Sequence, residues 1–376
     1  MLLDYHFRNY NFRLFLYVLL LNIIGVFVLR SASNQDMAVV GKQVMGIVIG
    51  FAVVIGLSLV DYHRVLSTAP VVYGGCVLML GAVLVFGVSK GIATRWIRVP
   101  LIGQIQPAEF VKIGLVVFFA WYFDKYQDKI NQFVTLLIGG GLFFVAFFLI
   151  FSQPNLSTSL VTLVIFLSML FVAGLSFKWI FGALAVVLPC GGLFVYLLKL
   201  GAVPFLADYQ VRRILAFFDK SGYAEANLQQ NNSIMAIGSG MFWGKGLNTT
   251  TLSSVKNGNF LSEEETDFIF AVVGEELGFI GSVVVIILMA LIVYECLMMA
   301  ARAKDLAGRL VCVGLATLFA FQSFANIAVA TGILPNTGLP LPFISSGVSS
   351  LLSLYFGVGI VMNVGLQRRN NNYERY

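Results

Sequence analysis

The strongest candidate for chemistry in this sequence is an acidic cluster, Glu263-Glu264-Glu265-Thr266-Asp267, directly before a long apolar segment. Asp267 is the acid nearest to the apolar residues, and a carboxylate close to hydrocarbon is costly enough to need a reason. One interpretation is a general base. The other is a helix cap, because side-chain oxygens and negative charge stabilise a helix N-terminus. The types and positions of these residues slightly favour the helix cap over the general base.

A second ionisable group begins another apolar segment, from Gln106 to Lys112. Glu109 and Lys112 are three residues apart, so they can face each other on a helix. Either they neutralise one another and hold the helix end, or they line a polar cavity. Glu275 follows Asp267 by eight residues, which turns a helix by about 80° net, so these two carboxylates are only loosely aligned.

These residues belong to a chain with the composition of a membrane protein. Of its 376 residues, 59% are hydrophobic and 11% are charged, about half the usual charged fraction. Apolar stretches of about 20 residues recur, and each can cross the hydrocarbon core as a helix. We therefore predict an all-α, polytopic transmembrane bundle. Its roughly ten predicted spans are 12–30, 38–60, 68–88, 107–124, 132–151, 155–173, 177–198, 267–298, 306–332 and 344–366.

The charges of the short loops predict that both termini are cytoplasmic. Lys and Arg are concentrated on one side of the predicted bundle, whereas the opposite short loops, 31–37, 152–154 and 333–343, contain none. The net charge of +6 is then mostly topological and does not indicate a nucleic-acid partner. We predict one membrane domain over 1–376, with a large outer loop at 199–266. A signal peptide is the less favoured interpretation of the first span.

Cations in one short outer segment depart from this charge pattern. Lys90, Arg95 and Arg98 lie there together with Trp96. They indicate either an anionic partner such as a lipid phosphate or ordinary snorkelling of long side chains to headgroups. Charge alone does not separate the two.

The outer connection before the last span is uncharged and contains three prolines, Pro335, Pro340 and Pro342, followed by Ser345. Such a segment predicts a rigid turn that shapes a site rather than reacts. Histidines and cysteines show none of the usual metal-ligand spacings. The sequence neither requires nor excludes a divalent cation.

Together these segments resemble the SEDS family of RodA- and FtsW-like proteins. The resemblance runs through most of the chain and is most specific in the Asp267 segment and the proline-rich connection. The matching segments are Arg95-Trp96-Ile97, Gln106-Pro107-Ala108-Glu109 with Lys112, 213–217, 236–240, 266–278 and 332–346.

The resemblance implies a multi-pass protein of the bacterial plasma membrane that polymerises peptidoglycan glycan strands from lipid II. It implies a class B penicillin-binding protein as partner, besides membrane lipids, and Asp267 as the general base. The cations expected around the departing pyrophosphate are Arg95, Arg98, Lys112, Arg212, Arg213 and Lys245. The other expected substrate-binding residues are Trp96, Gln106, Glu109, Glu275 and Ser345.

Two residues depart from the family pattern. Asn155 stands where many members have an aspartate that could pair with Lys112, and Ser346 stands where tyrosine is common. Two other functions remain open at this point. One is a flippase for lipid-linked precursors, and the other is an inactive scaffold for a penicillin-binding protein.

Overall fold

The computed structural model describes residues 10–90, 93–99, 103–153, 155–199, 211, 215, 224–248 and 264–367. Within these ranges the chain is a bundle of helices with one small sheet. The helices are α1 (Phe12–Ala32), α2 (Met37–Ser58), α3 (Tyr62–Ser67), α4 (Ala69–Phe86), α5 (Pro107–Lys125), α6 (Phe133–Phe151), α7 (Leu156–Val172), α8 (Phe177–Lys199), α9 (Ala224–Ser239), α10 (Ile269–Arg302), α11 (Leu306–Ala330) and α12 (Val348–Leu366). The strands are β1 (Val88–Lys90), β2 (Ala93–Val99) and β3 (Gly103–Ile105).

Each of the ten predicted spans coincides with a helix. Seven helices, α1, α2, α4, α6, α10, α11 and α12, are long and apolar enough to cross a membrane. Of the others, α7 has only 17 residues and α5 carries ionisable groups at both ends. The helical membrane bundle is confirmed, whereas the count of ten spans stays a prediction. So does the outer loop, because most of 199–266 lies outside the described residues.

The centre of the bundle is formed by α5 and α11. From Val111 to Ala120 every residue of α5 is buried, because α4, α7, α11 and α12 surround it. Apart from Lys112, this stretch is apolar on all sides, which suits such a position. The peripheral helices instead expose large apolar side chains, such as Val48 on α2 and Phe144 on α6, as expected for surfaces that contact lipid.

Two glycines bring α2 close to α12. A Cβ atom at Gly50 would lie 2.0 Å from the ring of Tyr355, and one at Gly46 would lie 3.3 Å from Leu351. Only small residues permit helix axes to approach this closely. Gly46 and Gly50 thus form a GxxxG pattern that packs closely against α12.

The outer segment before α5 folds into a three-stranded antiparallel sheet in the order β1-β2-β3, which the sequence analysis did not predict. Val88 pairs with Trp96, and Arg98 pairs with Gln104. The pairing of β1 with β2 shifts register at Arg95, because Ser89 pairs with Thr94, so Arg95 is an extra residue in β2. The strands are short and rich in valine, isoleucine and threonine, which suit a pleated surface.

Candidate active site

Asp267 lies in a turn immediately before α10. The N-cap position of α10 is Phe268, one residue after Asp267. The carboxylate faces the proline-rich connection: a Cβ atom at Gly338 would lie 3.1 Å from Oδ2 of Asp267. Gly338 has a φ of +70°, a conformation that glycine adopts without strain. The backbone of the connection can thus approach the Asp267 carboxylate because Gly338 has no side chain.

Side chains from α11 and from the connection hold the turn in place. Asn326 donates from Nδ2 to the carbonyl oxygens of Asp267 at 2.8 Å and Leu339 at 2.7 Å. Ser345 donates from Oγ to the carbonyl of Thr266 at 2.6 Å and accepts from the amide of Leu341 at 2.8 Å. Ser345, expected as a substrate-binding residue, therefore joins the two turns.

The departure at Ser346 leaves this arrangement intact. Its backbone amide donates to the carbonyl of Glu265 at 2.9 Å, and tyrosine would supply the same amide.

A buried ion pair lies on the central helices. Lys112 has no exposed surface, and its Nζ lies 3.0 Å from each carboxylate oxygen of Glu109. The same ammonium donates to Oε1 of Gln322 at 2.9 Å, and Gln322 donates to the carbonyl of Pro340 at 3.0 Å. Three acceptors around Lys112 match its three donors. The two charges thus neutralise each other at the start of α5, and Gln322 links them to the proline-rich connection.

Asn155 is the N-cap residue of α7. Its Oδ1 accepts from the amide of Thr158 at 3.3 Å, a role that asparagine and aspartate fill equally well. Nearby, Ser157 donates from Oγ to the carbonyl of Thr337, which joins α7 to the connection. Because Glu109 and Gln322 already satisfy Lys112, Asn155 is not needed as its counterion.

The other predicted site residues are not gathered in one place. Trp96 and Arg95 are half-buried on β2, whereas Arg98 is exposed. Gln106 is the N-cap residue of α5, and its backbone amide donates to Oγ of Ser349 at 3.4 Å. Lys245 pairs with the buried Glu275, their Nζ and Oε1 atoms lying 2.7 Å apart. Arg212 and Arg213 lie outside the described residues.

Sequence reasoning missed Gln322 and Asn326. Both are buried on α11, four residues apart and hence on one face. Amide side chains inside an apolar span are a recognisable signal, because such groups need partners away from water. Among the residues that the structure describes, no group of three or more His, Cys, Asp or Glu side chains could hold a metal ion.

The comparisons with known proteins decide the family. A family model named FTSW_RODA_SPOVE and described as "Cell cycle protein" matches residues 12–370. The chain belongs to this family. The resemblance drawn from the sequence is thereby confirmed, and the chain is a multi-pass protein of the plasma membrane.

Two curated relatives match nearly end to end. One is the probable peptidoglycan glycosyltransferase FtsW of Geobacter sp. (strain M18), 34% identical over 380 residues, which cover 96% of this chain and 98% of that protein. The other is the peptidoglycan glycosyltransferase MrdB of Escherichia coli (strain K12), 34% identical over 358 residues, which cover 94% and 93%.

Solved structures show the same fold. One belongs to work described as "Structural coordination of polymerization and crosslinking by a peptidoglycan synthase complex", with a TM-score of 0.78, 26% identity and coverage of 96% of this chain and 99% of that chain. The crystal structure of the Thermus thermophilus rod shape determining protein RodA has a TM-score of 0.70, 26% identity and coverage of 96% and 98%.

Proposed function

We propose that this chain, a peptidoglycan glycosyltransferase by family, polymerises glycan strands from lipid II at the outer face of the plasma membrane. One observation carries the assignment of Asp267 as its general base. The carboxylate lies beside the glycine backbone of the proline-rich connection, and Asn326 and Ser345 hold both turns together. A base must be fixed in this way to meet a substrate hydroxyl in a productive geometry.

In the proposed reaction, a sugar hydroxyl of the acceptor attacks the anomeric carbon of the donor. The new C–O bond forms as the bond from that carbon to the pyrophosphate oxygen breaks. Undecaprenyl pyrophosphate leaves with the electron pair, and Asp267 accepts the hydroxyl proton. Inversion at the anomeric carbon in one step needs only one carboxylate here, the base. No second carboxyl group is needed as an acid, because the pyrophosphate leaves without being protonated.

The charge that develops on the pyrophosphate needs cations, and guanidinium groups suit phosphate geometry especially well. Lys112 and Lys245 each hold a carboxylate, those of Glu109 and Glu275. Among the residues that the structure describes, the arginines of β2 are therefore the favoured partners of the leaving group. Because Arg98 is exposed whereas Arg95 is half-buried, we assign Arg98 to incoming substrate.

We also propose a class B penicillin-binding protein as the partner that cross-links the strands. The support is the likeness to a chain from a peptidoglycan synthase complex, whose description joins polymerisation with cross-linking. Purification from native membranes and identification of the bound transpeptidase test this assignment.

The test of Asp267 is polymer formation from lipid II by purified protein with its partner. Asp267→Asn keeps the shape of the side chain and removes the base, so we expect polymer to fall by at least about 100-fold. Asp128→Asn makes the same chemical change on an exposed cytoplasmic turn and is expected to leave the rate unchanged. Full activity of Asp267→Asn would overturn the catalytic assignment.

Transport of the lipid-linked precursor is the second candidate, because α10 is interrupted at Gly278 and transporters often use interrupted helices. Reconstituted vesicles separate the two functions. Inward-to-outward movement of labelled lipid II with no polymer would favour transport. Rescue of a depletion strain by Asp267→Ala would instead favour a scaffold.

A further inference from the structure

The helix that follows Asp267 is broken. Gly278 interrupts α10 with φ +66° and ψ −161°, so a short segment, Ile269 to Leu277, precedes the longer segment that begins at Phe279. A break in a helix removes hydrogen-bond partners from the main-chain groups on either side. Groups that pack against the break therefore help to set the orientation of the short segment.

A loop after α9 supplies the missing partners. We call residues 241–248 the splice loop. Amides of Lys245 and Gly246 donate to the carbonyls of Glu275 and Glu276, both at 3.0 Å. On the other side of the break, the amide of Phe279 donates to the carbonyl of Met241 at 2.9 Å. The loop thus bonds to both halves of the interrupted helix.

Glycines make this approach possible. A Cβ atom at Gly278 would lie 2.3 Å from the amide nitrogen of Gly244, and one at Gly244 would lie 2.2 Å from the carbonyl of Glu276. Both glycines also have positive φ angles, +66° and +79°. This close contact between two backbones is the physical reason for glycine at positions 244 and 278.

Side chains complete the junction. Lys245 Nζ lies 2.7 Å from Oε1 of Glu275, whose side chain is 1% exposed. Ser31, on α1, donates from Oγ to Glu276, and the amide of Asn248 donates to the same Oγ at 3.3 Å. Thus α1, the splice loop and the short segment meet at one point.

Resting on the function proposed above, we propose that Lys245 and Glu275 are positioning residues that fix the Asp267 carboxylate through the short segment. The short segment has nine residues, about 14 Å along a helix, and Asp267 lies in the turn before it. A tilt of about 4° at the break moves the carboxylate by about 1 Å, and a displacement of that size can cost about 100-fold in rate. The ion pair opposes that tilt.

This role differs from the substrate contact expected from the sequence, and kinetics separate the two. We expect Lys245→Met and Glu275→Gln each to lower kcat for lipid II polymerisation about 10- to 100-fold, with KM changed less than about twofold. The double variant should be no slower than the worse single variant, because both remove the same restraint. Lys42→Met, on the exposed side of α2, is the matched control and should leave kcat unchanged.

A second measurement does not depend on turnover. Hydrogen exchange of the backbone at 264–277 should become faster in Glu275→Gln than in the wild type, while exchange in α5 stays the same. A rise in KM confined to Lys245→Met, additive effects in the double variant, or unchanged exchange would each overturn the positioning role. Wild-type activity of Asp267→Asn would instead defeat the proposed function and leave the exchange result standing.

Discussion

Two polar regions of the bundle differ in how far their charged side chains are buried. At the active-site end, Lys112 and Glu109 are buried, and the amides of Gln322 and Asn326 beside them have at most 1% exposure. At the predicted cytoplasmic end, His63 bridges Asp61 and Asp305, and these three side chains are 50%, 37% and 32% exposed. We call these three residues the cytoplasmic cluster.

This difference in burial indicates what each region does. Removing charges and amides from water is costly, and the mutual attraction of a buried pair seldom repays it fully. A buried network with every donor matched is therefore weak evidence for stability and better evidence for a site. Exposed charges cost little to keep and contribute little, typically below about 1 kcal/mol. The cytoplasmic cluster joins helix ends, whereas the buried network contacts the proline-rich connection beside the proposed base.

The largest expected effect follows from breaking the buried pair. Lys112→Met leaves the Glu109 carboxylate buried without its cation, and we expect a loss of about 3–5 kcal/mol of stability. Thermal unfolding in detergent measures it. The double variant Lys112→Met/Glu109→Gln should recover much of the loss, since no charge is left buried. Lys129→Met, at the cytoplasmic face, is the control and should shift Tm little. An unchanged Tm for the single variant would remove the contrast between the two ends.

Asn326→Leu tests the amide that joins the two turns. It leaves the carbonyls of Asp267 and Leu339 without their donor, and a buried group left unsatisfied costs about 1–3 kcal/mol. Because one of these carbonyls belongs to the proposed base, kcat should fall more than KM rises. Thermal unfolding and steady-state polymerisation measure the two effects. A lower Tm with unchanged kcat would make Asn326 a purely structural residue.

Gly338→Ala separates backbone strain from the position of Asp267. Alanine at φ +70° costs about 1–2 kcal/mol, and its Cβ atom would press on Oδ2 of Asp267 from 3.1 Å. Gly174→Ala is the matched control, because Gly174 has φ +95° and nothing within 4 Å of the added Cβ atom. Both variants should lose similar stability, but only Gly338→Ala should lose polymerisation. Equal rates in the two variants would contradict the placement of the carboxylate.

Much of the architecture could be predicted from hydropathy, because a 20-residue apolar run has few alternatives to a helix. The break at Gly278 could not, since an isolated glycine in an apolar run is also compatible with an unbroken helix. The sheet at 88–105 was not predicted because its strands have only three to seven residues.

The candidate site was predictable in residue type more than in role. Asp267 stood out because its charge is close to apolar residues. Lys245, Glu275 and Ser345 were predicted to bind substrate, whereas their observed partners are protein groups, which no spacing along the chain reveals. Asn155 was the least explained departure, and its role as the N-cap of α7 depends on where that helix begins.

The smallest expected effect concerns the cytoplasmic cluster and depends on pH. Partial burial disfavours the charged form of His63, but its hydrogen bonds to Asp61 and Asp305 outweigh this and raise its pKa. Partial burial likewise opposes ionisation of Asp305, but bonds from Gly308, Tyr62 and His63 lower its pKa. A raised histidine pKa adds stability that is complete below the unfolded value of about 6.5 and is lost as the pH rises through the folded value.

We therefore expect His63→Gln to lower Tm near pH 5.5, which corresponds to less than about 1 kcal/mol of stability, and to have a smaller effect at pH 9. The bonds to both carboxylates need both ring nitrogens protonated, whereas neutral histidine donates to only one of them and has no charge to attract either. Asp124 faces the same cluster from α5. Lys129→Gln, on the exposed turn at 127–129, is the control, and its effect on Tm should be the same at both pH values. A His63→Gln effect that is equal at pH 5.5 and pH 9 would mean that the cluster acts through packing, and the contrast in charge between the two ends would then fail.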